Sequence, residues 1–370
     1  MDRKMNLVFF IGALGRGGME RQMCILMDEL VRRGHNIRLI TFLPLEDAYQ
    51  YDQRIKRLKF DGKSKFSTFI NLFRFFHSKK GKCDAIVAFG RLSSEVGILA
   101  NLFHNYKIIV GERNYTEDFT IRDRFIFSLF RYTDGIVTNC HAQQVLIAKE
   151  YPQYKSKLSC IINYTDTSSF SPKQQIVYND DFTIGVFARL HPQKNCLRFI
   201  EAISKLRHEY GSNKIKIKWF GATSSGIERA YKIEVEQSVK RHSLEDIFML
   251  LPATDKVRDE ICGCDAICLP SIFEGFSNSV SEAISCGKIV LASDVSDNHV
   301  MVENGVNGYL FDPLDVDSMC HAIARCLSLT ADDRKLMEER SRQKALELFN
   351  LKKFGDEYEN IINEVVNELL

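Results

Sequence analysis

Short apolar runs of strand length recur along this chain, separated by amphipathic segments with helical period. In the first half, Met5–Ala13, Asn36–Phe42, Asp84–Phe89, Lys107–Val110, Asp134–Thr138 and Lys157–Ile162 read as strands. Met19–Arg33 and Ala142–Lys149 read as helices between them. The second half repeats the theme with Phe182–Ala188, Ile215–Phe220, Ile247–Leu250, Ala266–Leu269 and Ile289–Ala292. From about Ala331 onward the pattern is helical only. Strands that are apolar at nearly every position are buried on both faces, which is the signature of parallel sheets covered by helices. The sequence therefore predicts an α/β protein of two doubly wound, Rossmann-like domains facing a central cleft. Periodicity lapses through Asn163–Asp181, where Thr, Ser, Pro, Gln and Asn crowd together. The expected division is 1–165, 166–345 and a carboxyl-terminal helix, 346–370, packing back on the first domain.

Composition agrees with that division. The 370 residues suit about two domains, and 45% hydrophobic with 26% charged residues is an ordinary globular balance. A net charge of +2 gives no support to nucleic-acid binding. Met5–Leu14 follows a basic start like a secretion signal, but no small-x-small cleavage site comes after it, so it reads as a buried first strand. Eleven cysteines are scattered singly through apolar runs, which suits a reducing compartment. Cys262, Cys264 and Cys268 cluster, but across a helix end and a strand with no second ligand group, so they make a poor zinc site.

In doubly wound folds ligands lie at the carboxyl ends of the strands, so the loops after the strands hold the candidate chemistry. The first is Gly12-Ala13-Leu14-Gly15-Arg16-Gly17-Gly18, which opens a helix. Its glycines permit close backbone approach, and the helix start offers amides to an anion. The spacing is not that of a nicotinamide site, and the second strand ends without a ribose-binding acid; a plain tight turn is the alternative. The counterpart in the second half is Arg189-Leu190-His191-Pro192-Gln193-Lys194, where Arg as a fork and Lys as a point charge suit a diphosphate. Two solvated basic side chains would look the same. The stretch Ser271–Ala283 places Glu274 in a loop and Glu282, eight positions on, in the following helix. Helix-start amides bind phosphate or sugar oxygens, and a carboxylate chelates vicinal hydroxyls. Ser279-x-x-Glu282 also scores as a capping box, a structural reason for Glu282 alone.

The E-x7-E pattern of Glu274 and Glu282 resembles retaining glycosyltransferases of family four, which have the GT-B fold. Four more segments match in order: Gly17–Arg21, the linker Asn163-x-x-Asp166 with Phe170-x-Pro172, the Arg189/Lys194 loop, and Asn304-Gly305-x-Asn307-Gly308-Tyr309-Leu310. The resemblance implies that Arg189 and Lys194 bind the diphosphate of a nucleotide-sugar donor and Glu282 its ribose. It implies that Glu274, with the backbone of Gly275, Phe276, Ser277 and Asn278, holds the transferred sugar. The amides of Gly17 and Gly18 would face the donor phosphates, and the base would lie near Leu251-Pro252-Ala253. One departure is Arg113 in Gly111-Glu112-Arg113-Asn114, where many relatives carry His. A guanidinium cannot serve as a base at neutral pH; it can stabilise charge on a departing diphosphate or a phosphate-bearing acceptor. The alternative is an ion pair with Glu112 or Glu117.

Asp315-Val316-Asp317 matches the D-x-D string of metal-dependent transferases but stands at a helix start, where early acids favour the helix dipole. With Arg and Lys available to the diphosphate, no metal or other cofactor is expected. Arg54 to Lys82 holds ten cations against Asp61, with Phe66, Phe69, Ile70 and Phe73 at helical spacing. That combination predicts contact with an anionic membrane surface, the alternative being a core helix with solvated basic flanks. The expectation is a cytoplasmic, peripherally membrane-associated enzyme. It would pass a hexose or N-acetylhexosamine, UDP-linked in the donor, to a polyprenyl-diphosphate-linked glycan in bacterial surface polysaccharide synthesis (O-antigen or capsule). A sugar-nucleotide epimerase of the same architecture and a non-catalytic scaffold are the rivals.

Overall fold

A computed structural model describes residues 3–15, 17–60, 65–78, 81–102, 106–113, 115, 119–173, 181–211, 214–221 and 225–367. Contacts divide the chain into two compact units, Met1–Tyr164 with Leu351–Leu370, and Thr165–Asn350.

The first unit runs β1 (Asn6–Ile11), α1 (Gly18–Arg32), β2 (Asn36–Thr41), β3 (Lys56–Lys59), α2 (Lys65–His77), β4 (Ala85–Phe89), α3 (Arg91–Asn101), β5 (Lys107–Glu112), α4 (Ile121–Leu129), β6 (Gly135–Thr138), α5 (His141–Glu150) and β7 (Leu158–Cys160). Its seven strands lie in the order β3-β2-β1-β4-β5-β6-β7, paired parallel throughout. Side chains on β1 alternate as strand geometry requires. Leu7, Phe9 and Ile11 enter one core layer with Met23, Leu26 and Leu30 of α1. Val8 and Phe10 enter the other with Leu72 and Phe76 of α2. Two apolar faces on one strand explain its unbroken hydrophobic run.

The second unit runs β8 (Phe182–Phe187), α6 (Cys196–Tyr210), β9 (Ile215–Phe220), α7 (Gly226–Arg241), β10 (Phe248–Leu251), α8 (Val257–Cys262), β11 (Ala266–Leu269), α9 (Asn278–Ser285), β12 (Ile289–Ser293), α10 (Asn298–Met301), β13 (Gly308–Phe311), α11 (Val316–Leu327) and α12 (Ala331–Leu348). Its parallel sheet is ordered β10-β9-β8-β11-β12-β13. In both sheets the order reverses beside the first strand of the unit, between β1 and β4 and between β8 and β11.

Phe349 packs edge-on against Phe276 at 6.2 Å, so the chain leaves the second unit only at Asn350. The last helix, α13 (Leu351–Val366), then joins the first unit. Phe354, Tyr358, Ile362 and Val365 form one helical stripe buried in the α1 layer. Arg33, just past α1, fastens the stripe with bonds of 2.6 Å to Asp356, 2.8 Å to Glu359 and 2.9 Å to Glu29. His35 Nε2 lies 2.7 Å from Glu359.

Two strands went unread in the sequence. β3 is the edge strand Lys56-Arg57-Leu58-Lys59 and carries its own solvated cations, so it shows no apolar run. β13 contains the Gly308–Phe311 end of the Asn-Gly motif and pairs with β12.

Candidate functional site

Loops that leave β8 and β11 emerge from neighbouring strands at the reversal of strand order, the place where doubly wound sheets open a ligand crevice. They are stitched together by three consecutive residues of the β8 loop. Gln193 Nε2 donates to the Phe273 carbonyl at 2.8 Å, and its own carbonyl accepts from the Ile272 amide at 2.9 Å. Asn195, buried and left-handed at φ 61°, donates to the carbonyls of Pro270 at 3.0 Å and Pro313 at 2.7 Å. Asparagine tolerates that backbone region better than other side chains. Between them Lys194 Nζ bonds the carboxylate of Glu274, with 15% and 10% of the two side chains exposed. Each charge there is satisfied mainly by the other, and removing either leaves a poorly solvated partner.

Arg189 keeps more than half of its side chain in solvent while one guanidinium nitrogen lies 3.0 Å from Glu228. Glu228 is buried and also closes a capping box with Ser225 at the start of α7, with bonds of 2.9 and 3.1 Å. The sequence reading missed Glu228, although Ser225-x-x-Glu228 is legible as a capping box.

The second carboxylate needs a correction. Ser279 is not a cap: α9 starts at Asn278, its cap residue is Ser277, and no side chain caps it. The capping-box explanation of Glu282 therefore falls, and Glu282 stands buried on the second turn of α9. The hydroxyls of Ser271 and Ser277 are buried without a hydrogen-bond partner among the described residues, unusual for polar groups away from water. The Gly275 carbonyl accepts from Ser296 Oγ at 2.9 Å, and Phe276 is buried. Ser281 Oγ reaches the Asn278 carbonyl at 2.8 Å and Thr165 at 2.7 Å. Leu251 and Ala253 lie at the end of β10, the edge strand, where the Leu251 carbonyl accepts from Gly221 at 3.0 Å.

Gly17, Gly18 and Arg113 belong to the first unit. Gly17 caps α1 with extended backbone, and a side chain there would meet Glu20 Oε2 at 2.2 Å. Burial raises the Glu20 carboxyl, while a bond from its own amide opposes the shift. Arg113 is buried at the end of β5, 4.1 Å above the Phe89 ring. It donates to Asn163 at 3.2 Å and to the Tyr358 hydroxyl on α13, leaving Nε without a hydrogen-bond partner among the described residues. In place of the alternative pairing with Glu112, that carboxylate lies 3.0 Å from Arg91; Glu117 lies outside the described residues.

Asp315 caps α11 by accepting from the Asp317 amide at 2.8 Å, and Asp317 pairs with Lys205 at 2.5 Å. In the basic stretch, Leu72 and Phe76 are fully buried, and Phe60, Phe69 and Phe75 pack against the same core. Phe69 is half-buried against that core. The rings of Phe73 and His77 lie tilted, with centroids 3.9 Å apart. Lys63, Lys79 and Lys80, and the side chains of Lys65 and Phe66, lie outside the described residues.

Residues 168–344 match the family described as Glycosyl transferases group 1. The chain is 28% identical over 227 residues to the UDP-Gal:alpha-D-GlcNAc-diphosphoundecaprenol alpha-1,3-galactosyltransferase of Escherichia coli. That match spans only 57% of this chain and 56% of the relative. It is 23% identical, over 78% of its length and 80% of the relative's, to the N-acetylgalactosamine-N,N'-diacetylbacillosaminyl-diphospho-undecaprenol 4-alpha-N-acetylgalactosaminyltransferase of Campylobacter jejuni. Among solved structures, Anabaena HepE in complex with UDP and glucose superposes with a TM-score of 0.79 at 17% identity, covering 97% of this chain and 100% of that one. The two parallel α/β units with carboxyl-terminal helices are those of the GT-B fold, and the likeness to the glycosyl transferases group 1 family rests on residues 168–344.

Proposed function

We propose that this protein is a retaining glycosyltransferase that moves a hexose or N-acetylhexosamine from a nucleotide sugar, UDP-linked, to a lipid-linked glycan of a bacterial surface polysaccharide. The observation that carries the reading is the meeting of Lys194 and Glu274 where the strand order reverses, with Arg189 and Glu282 on the flanking elements. Lys194 and Arg189 are the cations for a donor diphosphate, and Glu282 is the carboxylate for the ribose. Glu274 and the backbone of Gly275–Asn278 receive the sugar that moves. Leu251 and Ala253 flank the base, and the amides of Gly17 and Gly18 serve the donor phosphates. Arg113, a buried cation whose described partners are neutral, stabilises negative charge on the leaving diphosphate or the acceptor phosphate. Catalysis rests on positioning and on offsetting the departing charge, with no metal.

The acceptor class follows the two relatives, both named for diphosphoundecaprenol-linked substrates, and UDP is the nucleotide named with the HepE structure. No helix among the described residues is long and apolar enough to cross a membrane. Contact with the lipid is therefore assigned to the basic surface of the first unit on the cytoplasmic face. There Lys4, Arg38, Arg54, Lys56 and Lys82 border a hollow of about 590 Å³. UDP release from a UDP-sugar that requires an added polyprenyl-diphosphate glycan tests the reading. Release independent of acceptor, or epimerised donor without release, overturns it.

A further inference from the structure

α8 ends at Cys262, and Cys286 caps the end of α9. Although 24 positions separate them in sequence, the two cysteines line the same cavity, and each thiol is the leading influence on the other's ionisation. Cys262 is half-buried and also lies 3.6 Å from the Ser171 carbonyl, whereas Cys286 is fully buried. Both border a cavity of about 310 Å³ whose rim carries Lys173, Lys288, Lys335 and Arg342 beside Glu338 and Glu339. A small oxidant in this cavity meets the half-buried Cys262 first, and the nearby cations favour a thiolate.

We propose that Cys262 and Cys286 form a peroxide-reactive thiol pair, Cys262 being the attacking sulfur and Cys286 the resolving one. In the first step the Cys262 thiolate attacks one oxygen of a hydroperoxide. An S–O bond forms, the O–O bond breaks, and the departing alkoxide or hydroxide takes a proton. In the second step the Cys286 sulfur attacks the sulfenic sulfur. The S–S bond forms, the S–O bond breaks, and hydroxide leaves with the Cys286 proton as water. Two thiols are oxidised to a disulfide and one hydroperoxide is reduced to an alcohol and water; an external dithiol reverses the change.

The order of attack follows from the surroundings. The influence of Cys286 holds the Cys262 thiol below the ordinary thiol range against the effect of burial, helped by Arg258 and Lys288. The influence of Cys262 and burial push Cys286 up. Elsewhere burial raises Cys24, Cys83, Cys264 and Cys326, which makes them inert by comparison. Closing the pair makes a bond of about 2.05 Å by rotation of two side chains that face the same cavity. The bridge ties α8 to the helix that carries Glu282, one turn before Cys286.

Treating the whole protein with one equivalent of hydrogen peroxide, then digesting and mapping it, tests the proposal. A Cys262–Cys286 linkage is expected that dithiothreitol reverses. Cys286→Ser should leave a dimedone-reactive sulfenic acid at Cys262, and Cys262→Ser should abolish the linkage. Should a variant not fold, alkylation of the unaltered protein decides: iodoacetamide is expected to label Cys262 on the order of ten times faster than any other thiol at neutral pH. Oxidation that spares this pair, or Cys262 alkylating no faster than the rest, overturns the proposal.

Discussion

Lys194 and Glu274 stand 80 residues apart in sequence and share a hydrogen-bonded ion pair at the carboxyl ends of adjacent strands. A donor diphosphate that engages Lys194 must compete with this carboxylate or release it toward the sugar, so the two residues should respond differently to removal. Lys194→Ala is expected to weaken donor binding and slow turnover by about 1.5–3 kcal/mol, the usual worth of a charge-assisted contact. Glu274→Ala should leave UDP affinity unchanged or tighter, since it frees the lysine, yet slow transfer strongly. Glu282→Ala should weaken UDP and donor alike. Calorimetric titration with UDP and initial rates check this, and equal loss of UDP affinity in both Glu variants would refute the assignment.

Arg113 depends on an oxygen from the far end of the chain. Tyr358→Phe removes that oxygen and leaves a buried guanidinium with Asn163 as its one described side-chain acceptor. A cost of about 1–3 kcal/mol is expected, visible as a lower urea midpoint. An unchanged midpoint would mean that water or a neighbour replaces the hydroxyl without penalty.

The attachment of α13 should weaken in acid. Burial opposes ionisation of Glu359, but hydrogen bonds from Arg33 and His35 prevail and hold its carboxyl below the ordinary value. A carboxyl lowered in the folded state contributes stability above its unfolded pKa of about 4.3, and that contribution fades as pH falls through the lower folded value. Glu359→Gln should therefore melt earlier than the parent at pH 7, with the gap closing below about pH 4. A gap independent of pH would assign the effect to packing.

Activity is expected to persist in excess EDTA. Asp315 and Asp317 are engaged as a helix cap and in an ion pair with Lys205, while Arg189 and Lys194 supply positive charge for the diphosphate. Loss of turnover on chelation, restored by manganese or magnesium, would reverse this view.

Membrane contact rests on charge more than on aromatic residues, since Phe76 of α2 is core and Phe69 and Phe75 pack against it. Changing exposed Lys56, Lys59, Arg74 and Lys82 to Glu should release the protein from anionic liposomes at low salt without altering UDP binding. Each basic residue contributes about 1 kcal/mol at such a surface. A parent protein that fails to sediment with the liposomes would sink the idea.

The sequence by itself determined the two-sheet architecture, because burial on both faces forces long apolar runs such as Val8–Ile11 and Ile289–Ala292 to be written locally. It also marked the loops that matter, since glycines, prolines and paired charges interrupt those runs at the strand ends. Only the tertiary structure decided which of those residues are partners. Strand order is set by packing of whole elements, and it is this order that makes the loops after β8 and β11 neighbours and joins Lys194 to Glu274. The same holds for Arg189 with Glu228, Arg113 with Tyr358, and Cys262 with Cys286. β3 escaped notice because an edge strand keeps its cations in water, and the apolar stripe of α2 did not tell core from membrane because a helix shows such a stripe whichever surface it covers. Local pattern records burial; which groups meet depends on contacts between residues far apart in the chain.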